Sequence, residues 1–271
     1  MNISTPIVNG DLMYVNGLRL VSVSTTTMTV SQGLCRDSTN TNDIKVGLPL
    51  NVAATQTGVE PVAAGAGAVT IDVTLSGAGG IDTGTVAAST FYAVHAIGDS
   101  YGVNPGSALL SLSLTAPTLP KGYDMFRRIG FIKTDGSSHI LAFRQYGVTA
   151  DRWMWWDVAI ATSITAGSSA TFASVDCSAG IPAMGTISDA IFLVVFTPTA
   201  ANNTVELRPG LSSATNGYSR ASGDVAAVAT TVMMQCPIDS PYTDAVDYLV
   251  TGSATAISVS GYLDQLEPQL T

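Results

Sequence analysis

The sequence predicts an all-β protein of two antiparallel β-sandwich domains, jelly-roll-like in type, with almost no helix. Three observations lead to this expectation. Of the 20 acidic residues, 17 are Asp and three are Glu, and Asp favours turns whereas Glu favours helices. Short apolar runs are separated at short intervals by Gly, Pro, Asn and Asp, as in strands joined by turns. No segment keeps an apolar period of 3.6 residues over three turns.

Two hairpins are predicted in the first half of the chain. The stretch LMYV-NG-LRLV places Asn16-Gly17 between two apolar runs, and Asn-Gly is a strong signal for a two-residue hairpin turn. The stretch FRRIGFIKT-DG-SSHILAFRQYG repeats this device with Asp135-Gly136 at its tip. We therefore expect one hairpin around each dipeptide.

Two further strands and a loop are predicted between these hairpins. In AVTIDVTLS apolar and polar residues alternate from Val69 to Ser76, which indicates a strand with one buried face. STFYAVHAI is apolar on both faces, which is typical of a covered central strand. Residues 53–69 are rich in Gly and Ala and are predicted to form a loop.

A second series of strands is predicted after Gly147. Seven or eight short strands within about 120 residues, separated by turn signals, indicate an antiparallel sandwich. We therefore divide the chain into an N-terminal β-rich module, 1–148, and a C-terminal β-sandwich, 149–271. The expected strands lie near residues 153–160, 170–176, 188–197, 203–208, 230–236, 245–251 and 255–263.

Composition argues for a protein that assembles with copies of itself. Only 11% of the residues are charged, about half the usual share for a soluble domain, so we expect part of the surface to be covered by other subunits. The net charge of -9 argues against a nucleic-acid partner. The longest aliphatic-aromatic run, Ala190 to Phe196, is far below the roughly 20 residues of a membrane-spanning helix, and the N-terminus has no signal-peptide pattern.

The run DSTNTND, residues 37–43, contains only polar residues in a chain that is 46% hydrophobic. An EF-type calcium loop would need a Gly that is missing here, although Asp37, Asn40, Asn42 and Asp43 could coordinate a cation irregularly. The alternative is a structural loop in which these side chains bind neighbouring backbone groups as Asx and Ser/Thr turns. We favour the structural loop.

The remaining polar residues include one motif similar to a catalytic one and few candidate metal ligands. IGDSYG (97–102) is similar to the nucleophile block of SGNH-type esterases, but the Asp-x-x-His partner that would activate Ser100 does not follow. The chain has only two histidines, His95 in a covered strand and His139 near a hairpin tip, and three widely spaced cysteines. We therefore predict that the protein is not an enzyme and has no catalytic residue, metal site or cofactor. The acidic pair Asp244 and Asp247 is interpreted as part of a solvated loop.

All three tryptophans lie together in DRWMWWDVAI, as Trp153, Trp155 and Trp156. On a strand Trp153 and Trp155 share one face and Trp156 takes the other, so at least one ring should belong to the core. Three roles stay open for the cluster: packing at a domain junction, a subunit contact, or a platform for a glycan. We also expect Trp155→Ala to harm folding or assembly more than ligand binding.

Three stretches in the first half carry a resemblance to a known class of proteins. They are CRDSTNTNDI, GGIDTGTVAASTFYAVHAI and ALLSLSLTAPTLPKGYDMFRRIGFIKTDGSSHILAFRQYG. In this order and spacing, over roughly residues 30–148, they resemble a β-rich module of virion structural proteins of tailed bacteriophages, tail-fibre-like or head-decoration-like. The C-terminal half, with SATAISVSGYL, looks like the β-sandwich that often follows this module.

This resemblance implies a non-enzymatic component of the virion, assembled in the host cytoplasm. It implies a symmetric homo-oligomer, commonly a trimer, that docks on other phage virion proteins. The chain has no heptads, repeats or collagen-like run that would form a fibre shaft, so a tail fibre or appendage and a capsid-surface decoration both stay open. The alternative function is a module that binds glycans of the host surface.

Overall fold

The computed structural model describes residues 14–47, 67–147, 149–183, 186–238, 244–251 and 254–266. Within these ranges the chain forms 18 β-strands and no helix, which confirms the all-β class and the near absence of helix. No helix in the described part of the chain is long and apolar enough to cross a membrane. Residues 53–66 of the predicted Gly/Ala-rich loop lie outside the described ranges.

The chain forms two compact units. The first consists of Met1–Ile140 with Gly147–Ala150, and the second of Leu141–Tyr146 with Asp151–Thr271. The ladders within each unit are antiparallel. A domain boundary at residue 148 stays a prediction.

The first unit contains nine strands in three sets of neighbours. The strands are β1 (Val15–Gly17), β2 (Leu20–Ser22), β3 (Thr27–Val30), β4 (Gly33–Arg36), β5 (Asp43–Val46), β6 (Val69–Asp72), β7 (Phe91–Gly98), β8 (Ser107–Ser111) and β9 (Met125–Lys133). Their order within the sets is β1-β4-β5, β2-β3-β6 and β8-β7-β9.

The hairpin predicted at Asn16-Gly17 is wrong. Gly17 lies in β1 and pairs with Gly33 of β4, whereas β2 pairs with β3 and the chain reverses near Ser24, whose N–H donates to the carbonyl of Thr27. Gly17 and Leu18 have positive φ angles of 70° and 53°. Asn16-Gly17 therefore forms a kink within a longer hairpin. On one side of the kink β1 pairs with β4, and on the other side β2 pairs with β3.

The turn predicted at Asp135-Gly136 is present, but the ladder behind it is short. The N–H of Asp135 donates to the carbonyl of His139 at 2.8 Å, and a single bridge joins Thr134 to Ile140. Beyond this bridge the ladder ends, and β9 itself pairs with β7. Asp135 closes the turn itself by accepting hydrogen bonds from the backbone of Ser137 and His139.

The core of the first unit is centred on β7, as its two apolar faces predicted. Seven of its eight residues are buried, and β8 and β9 flank it on either side. The alternating stretch after residue 69 forms a shorter strand than expected. It ends at Asp72 because the Asp72 carboxylate accepts the backbone N–H of Thr74 at 2.9 Å and turns the chain, which leaves Leu75 exposed.

The second unit also contains nine strands, arranged in two sets that form a sandwich-like core. The strands are β10 (Phe143–Tyr146), β11 (Asp151–Ala161), β12 (Ala173–Asp176), β13 (Ile187–Thr197), β14 (Asn203–Pro209), β15 (Ser219–Gly223), β16 (Thr230–Pro237), β17 (Ala245–Val250) and β18 (Ala254–Gln265). Their order is β16-β13-β18-β11-β10 in one set and β12-β17-β14-β15 in the other.

All seven strand positions predicted after Gly147 are occupied by strands, with ends that shift by a few residues. The strand that the sequence did not indicate is β15, SRASG, because it has no apolar alternation. It forms because β14 pairs with it over five residues, from Asn203–Gly223 to Leu207–Ser219. The long strands β13 and β18 pair along most of their length and carry the centre of this unit.

Candidate functional site

The three tryptophans lie on β11 and occupy its two faces as predicted. Trp156 is 5% exposed and belongs to the core, where its Nε1–H donates to the carbonyl of Gly180 at 3.0 Å and its ring packs against Tyr262. Trp153 and Trp155 are half-buried, on the face opposite to Trp156. The core ring is therefore Trp156, and Trp155 is available at the surface of the sheet.

The neighbouring strand β10 supplies polar partners for this aromatic face. In the antiparallel register Arg144 lies opposite Trp155 and Tyr146 lies opposite Trp153, and such cross-strand pairs have Cβ atoms about 4.5–5.5 Å apart. Arg144 and Tyr146 are both exposed. The hairpin formed by β10 and β11 thus places three aromatic rings and one guanidinium on one face.

An ion pair borders this aromatic face. The Nε of Arg144 donates to the carboxylate of Asp157 at 3.1 Å. This hydrogen bond, together with the charge of Asp157 and a smaller contribution from Tyr146, raises the pKa of Arg144 above its ordinary value. Because Trp155 and Asp157 are two residues apart on a strand, they share a face, and the guanidinium is held beside the indole of Trp155.

These residues line an open cleft of about 420 Å³, which we call the aromatic cleft. Its walls are Arg144, Tyr146, Trp155, Trp156 and Asp157. An indole offers a flat apolar surface, the guanidinium offers donors, and the carboxylate offers acceptors. The arrangement can therefore hold a small ligand that combines a flat C–H-rich face with hydroxyl groups at its edge.

The polar loop at residues 37–43 is organised around one carboxylate. Asp37 is 4% exposed and accepts the backbone N–H groups of Thr41 at 2.9 Å and Asn42 at 3.3 Å. Its other oxygen accepts the hydroxyl of Thr39 at 2.9 Å. Burial favours the neutral acid, but these hydrogen bonds outweigh it and lower the pKa of Asp37. The prediction of a structural loop that satisfies its own backbone is confirmed.

The loop after β7, which contains IGDSYG, is built in the same way. Asp99 accepts the backbone N–H groups of Tyr101, Val103 and Asn104 at 2.9–3.0 Å, and these bonds lower its pKa. Ser100 donates its hydroxyl to the carboxylate of Asp124 at 2.5 Å and its N–H to the other oxygen at 2.8 Å. A carboxylate thus holds the Ser100 hydroxyl in place.

The two polar loops meet at one cleft of about 250 Å³ in the first unit. Residues from 42–45 line one side, and residues from 98–106 with Met125 line the other. The residues that line it include no histidine, whereas a serine nucleophile of the esterase type relies on histidine as its base. Among the described residues no group of three or more His, Cys, Asp or Glu side chains is placed to hold a metal ion.

His95 is a core histidine, as predicted from its strand. Its Nε2 lies 3.0 Å from the carbonyl of Ser113 and must carry the proton, since a carbonyl only accepts. Its Nδ1 is buried without a hydrogen-bond partner among the described residues. Burial, assisted by the charge of Arg128, lowers the pKa of His95 to about 4. His139, by contrast, lies in the turn at Asp135, 3.6 Å from that carboxylate.

The interpretation of Asp244 and Asp247 as a solvated acidic loop is wrong for Asp247. This residue lies in β17, is 7% exposed, and accepts hydrogen bonds from Nε and Nη2 of Arg208 at 3.1 and 2.9 Å. The stretch AVDYLV alone could not predict the Arg208–Asp247 ion pair, because Arg208 lies on the neighbouring strand β14. All three cysteines are buried, and burial raises the pKa of the Cys177 thiol to about 12.

Sequence reasoning singled out the tryptophans but missed Arg144, Tyr146 and Asp157. The alternation of Arg144 and Tyr146 in FRQY, the position of Asp157 two residues after Trp155, and the turn at Gly147, which has a φ angle of 97°, are the signals that could have located them. A hairpin read across that turn would have placed Tyr146 and Arg144 opposite Trp153 and Trp155. Comparisons with protein-family models, curated proteins and solved structures found no match to this chain.

Proposed function

We propose that this chain is a non-enzymatic structural component of a tailed-phage particle, either a tail fibre or appendage or a decoration of the capsid surface. It acts by symmetric self-assembly and by docking on other virion proteins. The assignment to a phage draws on the resemblance of the three stretches in residues 30–148. The structural role is supported by the polar loops of the first unit, in which the carboxylates accept hydrogen bonds from the backbone of their own loop.

The observation that carries the structural role is the pair of carboxylates at the centres of the two polar loops. Asp37 binds its own loop through four hydrogen bonds, and Asp99 also binds its own loop through four. Carboxylates used in this way serve as internal supports, which suits a rigid framework better than a reaction centre. Ser100, whose sequence context is similar to an esterase nucleophile block, donates its hydroxyl and its N–H to the carboxylate of Asp124.

A phage that lacks this chain provides the test of the structural role. Interruption of its gene should yield particles without one defined surface feature in electron micrographs, and supply of the chain in trans should restore that feature. Particles that are identical in appearance, composition and infectivity without the chain would contradict the proposal. Turnover of an ester substrate that is lost in Ser100→Ala would contradict its non-enzymatic part.

A second candidate function is supported by the aromatic cleft. We propose as the alternative that the second unit binds a glycan of the host surface there. A pyranose ring has one face rich in C–H groups that can stack on the indole of Trp155, while its hydroxyls can bond Arg144 and Asp157. The cleft volume of about 420 Å³ falls within the range of small-molecule sites. Binding of methyl glycosides, with Trp155→Ala as the variant, tests this alternative.

A further inference from the structure

Most strands at the ends of the sheets have features that discourage pairing with another chain. Exposed edges offer unpaired N–H and C=O groups, and proteins protect them by short strands or charged side chains. Among the strands that the structure describes, those at sheet ends other than β16 have five residues or fewer, or carry charge. The long one, β9, carries Arg127, Arg128 and Lys133.

The edge strand β16 has neither form of protection. It spans the eight residues Thr230–Pro237 with the sequence TTVMMQCP, which contains no charged side chain. It forms the end of its sheet and pairs with β13 along one edge. Every second residue of such a strand directs its N–H and C=O away from the neighbouring strand. Met233, in the middle of β16, is 51% exposed.

The loop that precedes β16 adds an exposed apolar surface to this edge. The five residues 225–229, VAAVA, are all exposed, with Val225 at 59% and Val228 at 53%. The loop is held in this position, because Ala227 adopts a positive φ angle of 61° and donates its N–H to the carbonyl of Pro198 at 2.7 Å. A run of exposed apolar residues next to an unprotected edge indicates an interaction surface.

We propose that β16 pairs antiparallel with β16 of a second copy of this chain, across a two-fold axis at Met233. Pro237 has no N–H to donate to a ladder, which leaves residues 230–236 for pairing, and the centre of that segment is Met233. Residues 225–238 contain no charged side chain. Two copies of a chain with a net charge of -9 can therefore join at this edge without placing like charges opposite each other.

This interface rests on the self-assembly proposed above and adds to it the surface through which two copies join. Antiparallel pairing of a strand with itself is isologous and commonly forms a dimer with two-fold symmetry. Assembly through this interface therefore gives an even number of copies, whereas the phage resemblance implies a trimer. The loop at residues 225–229 flanks the paired strands and extends the apolar contact.

The first test compares Met233→Lys with Val158→Lys. Val158 is 79% exposed on β11, a strand inside the same sheet, and is the matched control for adding a lysine to that sheet. We expect the parent and Val158→Lys to be dimers by light scattering. Met233→Lys should keep the far-UV circular dichroism spectrum of the parent but raise the dissociation constant of the dimer by about tenfold or more, because it removes apolar burial and sets two lysines opposite each other.

The second test is chemical cross-linking. In the two-fold pair the Cβ atoms of the two residues at position 233 lie about 4.5–5.5 Å apart, so Met233→Cys should give a covalent dimer with a short bis-maleimide. Val158→Cys should not do so, and the native Cys35, Cys177 and Cys236 are buried. Equal cross-linking of the two variants would overturn the β16 interface.

The outcomes separate the interface from the proposed function. A parent that is oligomeric, with Met233→Lys equally oligomeric, overturns the β16 interface and leaves self-assembly standing. A parent that stays monomeric at concentrations of about 100 μM overturns self-assembly in solution and the interface together, whereas presence in purified particles would still support the virion role.

Discussion

Trp155 and Trp156 are neighbours in the chain, yet Trp156 is buried in the core of the second unit and Trp155 is half-buried on the opposite face of β11. The alternation of a strand produces this division. The ring that fills core volume is therefore Trp156, whereas the expectation that Trp155→Ala harms folding or assembly more than ligand binding stays a prediction.

Trp156→Ala should therefore destabilise the protein far more than Trp155→Ala. Removal of a buried indole leaves a cavity and costs about 3–5 kcal/mol, and it also leaves the carbonyl of Gly180 without its donor. Trp155→Ala should cost roughly 1–2 kcal/mol, since only part of its ring is removed from water. Denaturant unfolding measures both values.

Trp156→Phe serves as the milder comparison if Trp156→Ala does not fold. It keeps an aromatic ring and loses the N–H, so its cost should be about 1–3 kcal/mol. Equal destabilisation by Trp155→Ala and Trp156→Ala would show that the two faces of β11 are not divided as described.

The aromatic cleft predicts a loss of saccharide binding without a loss of fold. If a methyl glycoside binds, Trp155→Ala and Arg144→Ala should each weaken its affinity by about tenfold or more, because stacking and charged hydrogen bonds are removed. Val158→Ala is the control, since Val158 is exposed on the same strand and does not line the cleft. Calorimetric titration against a panel of methyl glycosides provides the measurement.

The outcome of that titration decides between the roles of Trp155. Binding that is unchanged in Trp155→Ala would remove the aromatic cleft as the site. Binding of none of the glycosides by the parent protein would count against the glycan alternative as a whole.

His95 predicts a pH dependence of stability between about pH 6.5 and 4. Burial lowers its pKa in the folded state from 6.5 to about 4. Above pH 6.5 the ring is neutral in both states, so its contribution is complete there. As the pH falls towards 4, the unfolded chain binds a proton that the folded protein does not, and stability falls by up to roughly 3 kcal/mol.

His95→Gln should flatten this part of the stability profile. The Gln side chain can still donate to the carbonyl of Ser113 but does not titrate. His139→Gln is the control, because His139 lies in an exposed turn. Free energies of unfolding measured from pH 7 to 4 would contradict this account if the parent and His95→Gln lost stability in parallel.

The backbone conformation at position 17 requires glycine. Its φ angle is 70°, and a Cβ added there would lie 2.4 Å from the carbonyl oxygen of Gln32. Gly17→Ala should therefore cost about 1–3 kcal/mol. Gly136→Ala, where an added Cβ would meet no atom within 4 Å, should leave the melting temperature nearly unchanged. Similar melting temperatures for Gly17→Ala and the parent would contradict the kink at this position.

These residues also show how far the sequence could predict the structure. The strands of the second half were predicted because alternation and turn residues are local signals. The hairpin predicted at Asn16-Gly17 was wrong because Gly17 pairs with Gly33, 16 positions away. The positive φ angle of Gly17 therefore forms a kink in a longer hairpin and not a two-residue turn. The tryptophan faces followed from strand alternation, whereas Arg144 and Tyr146 depend on the register between two strands.

The proposed role as a structural part of a phage particle requires this chain to be present in purified particles. Quantitative mass spectrometry of gradient-purified particles measures its presence and copy number. The chain should copurify with the particle in a fixed ratio to the major capsid protein, with hundreds of copies for a capsid decoration or about a dozen or fewer for a tail appendage. A chain that is abundant in the infected-cell lysate but absent from purified particles would contradict it.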